Sequence, residues 1–168
     1  MNGVLVLLVG ALLVSSVCFA TGIAVRRFIL VNRNMGEALV VNTLAQLSCP
    51  HVLINNVTLP TESGTTQIDH ILITGSGIFT IETKHYTGWI LGSPDDSHWT
   101  QVIYRKKSRF RNPLRQNYGH LRTVQSLFKL PDTAFQGLVV FTGDAEFKTE
   151  LGPHVIHLNE LLGFVQQP

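Results

Sequence analysis

Charged side chains are absent from the first 25 residues of the chain, so this stretch has no charged face to present to water. All 13 Lys+Arg and all 11 Asp+Glu fall in the remaining 143 residues (168 − 25), which is enough for one globular domain and too few for two. Cysteine is also scarce, and the two present, Cys18 and Cys49, exclude a disulfide-stapled scaffold and a four-cysteine zinc site. Since none of the seven histidines stands at HxxxH or HExxH spacing, the sequence does not support a zinc protease.

Residues 3–25, GVLVLLVGALLVSSVCFATGIAV, contain nothing more polar than serine and threonine. As a helix they would extend about 35 Å, enough to cross a hydrocarbon core of about 30 Å. Arg26, Arg27 and Arg33 follow directly, and the positive-inside rule then places the C-terminal part in the cytoplasm. The alternative, a cleaved signal peptide, normally has a basic start and a shorter apolar core, and both are missing here.

The chain is therefore predicted to be a single-pass protein of the inner, cytoplasmic membrane. Residues 1–25 form the transmembrane anchor, residues 26–33 a basic juxtamembrane linker, and residues 34–168 one soluble domain.

In the soluble domain, apolar spacing predicts a first helix over residues 35–47, with Asn34 as its N-cap. Alternating and β-branched patterns predict strands over residues 51–59, 67–74, 77–84, 88–92, 99–104, 137–142 and 154–158. Residues 60–66 are predicted as a turn, residues 105–111 as a basic loop, residues 114–129 as an amphipathic helix and residues 159–165 as a short helix. Leu114, Leu121, Val124, Leu127 and Phe128 are the predicted inward side chains of the amphipathic helix. The order of elements predicts an α/β sandwich.

Asp69, Glu82 and Lys84 are the candidates for chemistry. Glu82 and Lys84 share one face of their strand because side chains alternate. A two-residue turn at Gly75-Ser76 would pair residues whose numbers sum to an odd value, which brings Asp69 to the same face, whereas a three-residue turn would not.

Two carboxylates on adjacent strands repel each other, and a divalent cation such as Mg²⁺ removes that cost. Lys84 beside the metal could orient or deprotonate a water and stabilise charge on a phosphate, which is the chemistry of phosphodiester hydrolysis. The alternative is that Asp69, Glu82 and Lys84 form ion pairs on the solvent face of a sheet.

The segment from Arg105 to Lys129 has eight basic residues and no acidic one, with aromatic residues interleaved. Such a stripe suits a nucleic-acid backbone, although a solvated loop or a patch facing anionic lipid has the same composition. The predicted contacts are Arg105, Lys106, Lys107, Arg109, Arg111, Arg115 and His120.

Gln116 and His120 lie four residues apart on the predicted helix, so they share a face and could contact phosphate or the waters of a metal; the alternative for both is ordinary polar surface. Trp89 and Trp99 are predicted to be core residues, and His70 and His85 are predicted to be structural.

The order and spacing of these motifs resemble those of the NERD (nuclease-related) domain over about residues 34–130. The resemblance is carried by Gly36-Glu37, Gln67-Ile68-Asp69-His70-Ile71, Gly77-Ile78-Phe79, Ile81-Glu82-Thr83-Lys84, Tyr86, Gly88, Gly92, Trp99, Asn112-Pro113-Leu114, Gln116-Asn117 and His120. That family is assigned to the PD-(D/E)XK nuclease superfamily, which implies a restriction-endonuclease-like mixed sheet flanked by helices. Gln67-Ile68 stand where the family usually has a proline before the first acid, a departure that removes no ligand.

The resemblance implies a role for each matched position. Asp69, Glu82 and the backbone carbonyl of Thr83 would hold Mg²⁺ or Mn²⁺, with Glu37 as an additional acidic residue near the metal. Lys84 matches the catalytic lysine, and Gln116 matches a supporting glutamine. The implied function is a membrane-anchored, metal-dependent nuclease that hydrolyses phosphodiester bonds in DNA. The alternatives are a non-catalytic nucleic-acid-binding or scaffold module at the membrane, and a lipid-surface domain.

Overall fold

A computed structural model of the chain describes residues 35–166. The anchor predicted over residues 3–25, the linker over residues 26–33 and the N-cap at Asn34 lie outside the described residues. Within residues 35–166, no helix is both long and apolar enough to cross a membrane.

Two mixed β-sheets form the framework. The first, sheet A, contains β1 (His51–Thr61), β2 (Gly64–Thr74), β3 (Gly77–Lys84), β7 (Phe135–Phe141) and β9 (Val155–His157), in the order β1-β2-β3-β7-β9. Strands β1, β2 and β3 are antiparallel neighbours, whereas β7 is parallel to both β3 and β9. The second, sheet B, contains β4 (Gly88–Leu91), β5 (His98–Ile103), β6 (Lys106–Arg111) and β8 (Ala145–Phe147), in the order β6-β5-β4-β8.

Three α-helices flank these sheets. Helix α1 covers residues 35–44 of the described chain, α2 covers Pro113–Gln125, and α3 covers Leu161–Val165. Single 3₁₀ turns occupy Asp132–Ala134 and Leu158–Glu160. Helix α2 begins where Asn112 accepts a hydrogen bond from the Leu114 amide at 2.9 Å and Pro113 takes the first position, which needs no amide hydrogen.

The two faces of sheet A are covered by different helices. On one face, Val40 and Leu44 of α1 and Leu161 of α3 pack with strand residues such as Ile81 and Leu138. On the other face, Val124 of α2 packs with Ile68, Ile71, Ile78 and Phe135. Sheet B packs its inner face, with Ile90 and Trp99, against Val139 and Phe141 of β7. Helix α2 therefore lies over the face of sheet A that carries Thr80 and Glu82.

The structure confirms a mixed α/β fold, with a mixed sheet flanked by helices and most of the predicted strands. It also corrects several expectations. There are two sheets where one was expected, and the three-residue strand β8 has no counterpart among the predicted elements. The turn predicted over residues 60–66 is only two residues long, Glu62-Ser63, because β1 and β2 continue into a tight hairpin.

Two further predictions fail for reasons of tertiary structure. Residues 105–111 are not a loop, because residues 106–111 pair with β5 as strand β6. Helix α2 ends at Gln125, so Leu127 and Phe128 lie beyond it and are exposed. Of the other predicted inward residues, Val124 is buried and Leu114 and Leu121 are partly buried. Pro113, Asn117 and His120 are buried as well.

Candidate active site

The hairpin between β2 and β3 sets the position of the candidate site. Its loop is the predicted two-residue turn, Gly75-Ser76, and Thr74 pairs with Gly77. The pairing continues to His70 opposite Ile81. The residue numbers of each of these pairs sum to 151, which is the odd-sum register that the two-residue turn predicts.

Asp69 sits at an irregular point of β2. The ladder between β1 and β2 has a gap at Asn56 and Asp69, and Asn56 has a positive φ of 54°. Ile68 and Ile71 belong to the same hydrophobic cluster although they are three residues apart. The regular alternation of side chains is thus interrupted here, and a hydrogen bond, not alternation, fixes the Asp69 carboxylate. Its Oδ2 accepts from the backbone N–H of Thr83 at 3.0 Å.

Glu82 and Lys84 form a close ion pair at the C-terminal end of β3. The Lys84 Nζ donates to Glu82 Oε1 at 2.6 Å, and the two side chains are 16% and 3% exposed for Lys84 and Glu82 respectively. The same Nζ lies 3.4 Å from Gln116 Oε1 on α2. Asp69 is 1% exposed, so Lys84 and Gln116 form the more accessible side of this group. Burial of both acids is incompatible with the alternative of ion pairs on a solvent face.

His120 closes the cluster from α2. Its Nε2 lies 3.3 Å from Glu82 Oε2, and its Nδ1 lies 3.0 Å from the Thr66 hydroxyl on β2. The residue is only 4% exposed. His120 therefore connects β2, β3 and α2. The sequence predicts a contact with phosphate or with the waters of a metal, or ordinary polar surface, and the burial of His120 excludes polar surface.

The electrostatics of Glu82 reflect a competition. Burial raises the pKa of Glu82, but the contacts with His120 and Lys84 outweigh burial and hold the pKa below its ordinary value. Glu82 is therefore a carboxylate at neutral pH. Burial lowers the pKa of His70, and the negative charges of Asp69 and Glu82 only partly oppose that effect.

Asn117 holds α2 against the sheet. Its side-chain amide donates to the Thr80 carbonyl at 2.9 Å and to the Leu138 carbonyl at 3.0 Å, so one side chain binds both β3 and β7. Gly137 makes room for it, since an added Cβ would lie 3.2 Å from Asn117 Nδ2. These contacts place Gln116 and His120 beside Lys84 and Glu82. The spacing of apolar residues could not predict the contacts of Asn117, because its partners are backbone carbonyls distant in sequence.

Glu37 lies on α1, the helix on the other face of sheet A. It is buried on α1, directly after Gly36. A Cβ added to Gly36 would lie 2.8 Å from the Thr142 hydroxyl and 3.2 Å from Thr83 Cγ2, so the helix comes close to the ends of β3 and β7 only because this residue is glycine. Helix α1 covers the face opposite to α2.

Few side chains at the candidate site are available as metal ligands. Within residues 35–166, no three His, Cys, Asp or Glu side chains converge closely enough to hold a metal ion. Two carboxylates, Asp69 and Glu82, remain, and the buried Glu82 Oε2 has no hydrogen-bond partner of good geometry in the described structure. Mg²⁺ commonly takes one or two carboxylates and fills its other positions with water and phosphate oxygens, so the residues present fit this ion.

The basic segment divides into parts with different surroundings. Lys107, Arg109 and Arg111 are exposed and alternate along β6 with Phe110, which packs toward Trp99 and Tyr86. Arg105 and Lys106 lie at the tight turn between β5 and β6. Arg115 donates to the Asp95 carbonyl at 2.5 Å, and Arg122 lies 3.8 Å from Asp132.

Comparison with known proteins adds a family to this geometry. The family model described as NERD, nuclease-related domain, matches residues 32–142. A protein of Bacillus anthracis described as uncharacterised is 49% identical over 96 residues, which are 56% of this chain and 45% of that protein. The chain thus spans about half the length of this relative. No solved structure matches the chain.

Proposed function

Because this chain belongs to the NERD, nuclease-related domain, family, we propose that it is a metal-dependent nuclease that hydrolyses phosphodiester bonds in DNA. The observation that carries the proposal is the buried cluster at the end of β3, where Lys84 Nζ contacts Glu82 at 2.6 Å and Asp69 is bound to the Thr83 amide at 3.0 Å. Acidic groups are rarely buried without a partner, and perturbed groups of this kind concentrate at functional sites.

Asp69, Glu82 and the backbone carbonyl of Thr83 would hold Mg²⁺ or Mn²⁺, with Glu37 as an additional acid. When bound, the cation would lower the pKa of a water and neutralise charge on the scissile phosphate. The fit rests on the two carboxylates and on Glu82 Oε2, the buried oxygen that lacks a hydrogen bond of good geometry.

Lys84 and Gln116 would face the substrate. Lys84 is the most exposed member of the trio with Asp69 and Glu82, and its ammonium can donate to a phosphate oxygen or orient the attacking water. Gln116 Oε1, 3.4 Å from Nζ, restricts where that ammonium points. His120 acts through Glu82 as a positioning residue, because it contacts the carboxylate and is itself held by Thr66.

The same proposal assigns the fold to the restriction-endonuclease-like class of the PD-(D/E)XK superfamily. A mixed sheet with α1 and α3 on one face and α2 on the other supports this assignment. We also propose that residues 3–25 attach the chain to the inner membrane with the nuclease domain in the cytoplasm, on the strength of their apolar composition and the arginines that follow.

The test is cleavage of plasmid DNA, linear DNA and RNA by the full chain with Mg²⁺ or Mn²⁺. Wild type is expected to cleave DNA, and EDTA to stop it. Lys84→Ala is expected to lower the rate by more than about a hundredfold, a typical contribution of a positioned catalytic group. Lys129→Ala, an exposed lysine of the basic segment, is the matched control and should cleave at the wild-type rate. Equal rates for Lys84→Ala and wild type would refute the mechanism.

A non-catalytic nucleic-acid-binding or scaffold module is the second candidate. It is favoured by the internal pairing of Glu82 with both Lys84 and His120, which satisfies most of the charge without a metal. This alternative predicts salt-sensitive DNA binding in EDTA and no cleavage with any divalent cation.

A further inference from the structure

The outer face of sheet B carries a row of cations beside an exposed tryptophan. Residues directly opposite each other in the sheet point to the same side, and the buried Trp99 and Ile90 define the inner side. Lys107, Arg109 and Arg111 of β6 therefore point outward, together with Thr100 and Val102 of β5. On β4, Trp89 and Leu91 point to this outer side as well.

The cations of this row are not neutralised. Within residues 35–166, the ion pairs involve other basic residues, and none joins Lys107, Arg109 or Arg111 to an acid. Alternate residues of a strand are about 6.6 Å apart, so the row spaces its charges regularly along one edge of the sheet. A regular row of cations can contact several successive phosphates, which a single point charge cannot do.

Trp89 is predicted from the sequence to lie in the core, yet half of its surface is exposed. It pairs with Val102, which pairs with Lys107, so the ring lies two strands, or about 10 Å, from the row of cations. Lys148 Nζ stands 4.9 Å from the ring centroid and forms an ion pair with Glu146, the neighbour of Trp89 on β8. This contact is weak at an exposed site, which leaves the ring available to a ligand that can stack on it.

From this juxtaposition we infer that the outer face of sheet B binds single-stranded nucleic acid, with phosphates along Lys107, Arg109 and Arg111 and a base stacked on Trp89. A row of cations beside an exposed aromatic ring is an arrangement that binds single strands. A duplex keeps its bases stacked internally and offers only its phosphates. The inference rests on the proposed function for its ligand class and deepens it by naming single strands as the form bound.

Protection of a sheet edge and contact with lipid would each account for part of this surface. Basic residues on β6 could merely prevent an edge strand from pairing with another chain, a common use of lysine and arginine there. A basic face with a tryptophan could also rest on anionic lipid. Lipid headgroups offer no base to stack on Trp89, so a comparison of vesicles with oligo(dT) distinguishes lipid from nucleic acid.

The position of the row relative to the candidate site supports a functional use. Arg111 ends the row and is followed by Asn112, whose side chain donates to the Asp96 carbonyl at 2.7 Å and starts α2. Gln116, at the candidate site, lies one turn into that helix. A strand bound along β6 would therefore lead toward the end of the sheet where α2 begins.

The experiment measures binding of the full chain, in non-ionic detergent and EDTA, to oligo(dT), to a duplex of equal length and to anionic vesicles. The chain has two tryptophans, and Trp99 is buried, so stacking on Trp89 should quench the exposed part of the fluorescence. We expect oligo(dT) to quench the fluorescence of wild type and the duplex to leave it unchanged. Trp89→Phe, in which only the background fluorescence of Trp99 remains, should show no quenching. Trp89→Ala should weaken oligo(dT) binding by at least about fivefold, the lower end for loss of one stacked base.

The cations are tested by a charge-matched pair of double variants. Lys107→Gln with Arg109→Gln should lower the slope of log K against log salt by about 1.4 for single strands, at about 0.7 per phosphate contact. The control, Arg122→Gln with Lys129→Gln, removes the same charge from exposed positions outside the row and should retain most of the affinity.

Unchanged oligo(dT) binding in Trp89→Ala, tighter binding of the duplex, or a fluorescence response to vesicles without one to oligo(dT) would each overturn the inference. Because EDTA excludes cleavage, these results are independent of whether the chain is an active nuclease. A catalytically inactive chain that binds oligo(dT) through Trp89 would refute the proposed function and leave this inference standing.

Discussion

Two Glu-x-Lys pairs occur on strands of this protein, and the comparison between them shows what distinguishes a site from a sequence pattern. Glu82 and Lys84 end β3, whereas Glu146 and Lys148 lie on and just after β8, and each pair forms an ion pair across one intervening residue. The first pair is buried, with side chains 3% and 16% exposed, and the second is open, with side chains 60% and 35% exposed.

The surroundings of the two pairs differ in the same way. Glu82 is also contacted by His120, and Lys84 by Gln116, so elements distant in sequence fix both side chains. Glu146 and Lys148 have Trp89 beside them and otherwise face solvent. The spacing therefore permits an ion pair in both places, but burial and additional partners make only the first a preorganised polar cluster.

The largest effect should come from breaking the buried pair. Lys84→Met leaves the Glu82 carboxylate buried with one fewer partner, and loss of one member of a buried pair typically costs about 3 kcal/mol. Lys148→Met removes the matched lysine of the exposed pair and should leave the unfolding midpoint close to that of wild type, because solvent screens that pair. Urea unfolding of both variants measures the difference. Similar losses in the two variants would show that burial does not separate the pairs.

His120 should have the next largest effect, because it positions Glu82 without facing solvent. His120→Gln is expected to raise the Mg²⁺ concentration for half-maximal cleavage by about 10-fold to 100-fold, as for residues that orient a metal ligand. Loss of a positioning role raises the Mg²⁺ requirement. A folding defect would lower only the maximal rate, because it reduces the amount of active protein. His98→Gln, an exposed histidine on β5, is the control. An unchanged Mg²⁺ requirement in His120→Gln would remove the positioning role.

The smallest effect concerns acid stability. The pKa of Glu82 in the folded state lies below its ordinary value of 4.5, so its stabilisation is fully present above that pH and is lost as pH falls through the folded pKa. Glu82→Gln should therefore show a shallower loss of stability than wild type as the pH is lowered below 4.5. The measurement is urea unfolding at several pH values from 7 to about 3. Identical pH profiles would mean that the carboxylate gains nothing from His120 and Lys84.

The β2–β3 hairpin could be predicted from sequence because its geometry is local. A two-residue Gly-Ser turn fixes the register, which runs from Thr74 opposite Gly77 to His70 opposite Ile81. The alternation argument for Asp69 is incomplete, since the strand is irregular at that residue and its contact with the Thr83 amide was not foreseen.

The remaining features depend on partners far along the chain. Residues 106–111 have one inward aromatic residue among basic ones, and they form a strand because β5 is available to pair with them. Asn117 and His120 are polar helix residues that become buried through contacts with strand carbonyls and with Glu82. Trp89 is exposed because it points to the outer face of sheet B, and no local pattern distinguishes that face from the inner one.

Binding of Mn²⁺ at the two Glu-x-Lys pairs tests the central claim most directly. Mn²⁺ electron paramagnetic resonance on the full chain counts bound ions in wild type, in Glu82→Gln and in Glu146→Gln, with a DNA duplex added to supply phosphate oxygens. We predict that wild type and Glu146→Gln bind the ion equally and that Glu82→Gln loses it. Equal binding in all three proteins, or no binding in wild type with DNA present, would contradict a metal site at Asp69 and Glu82.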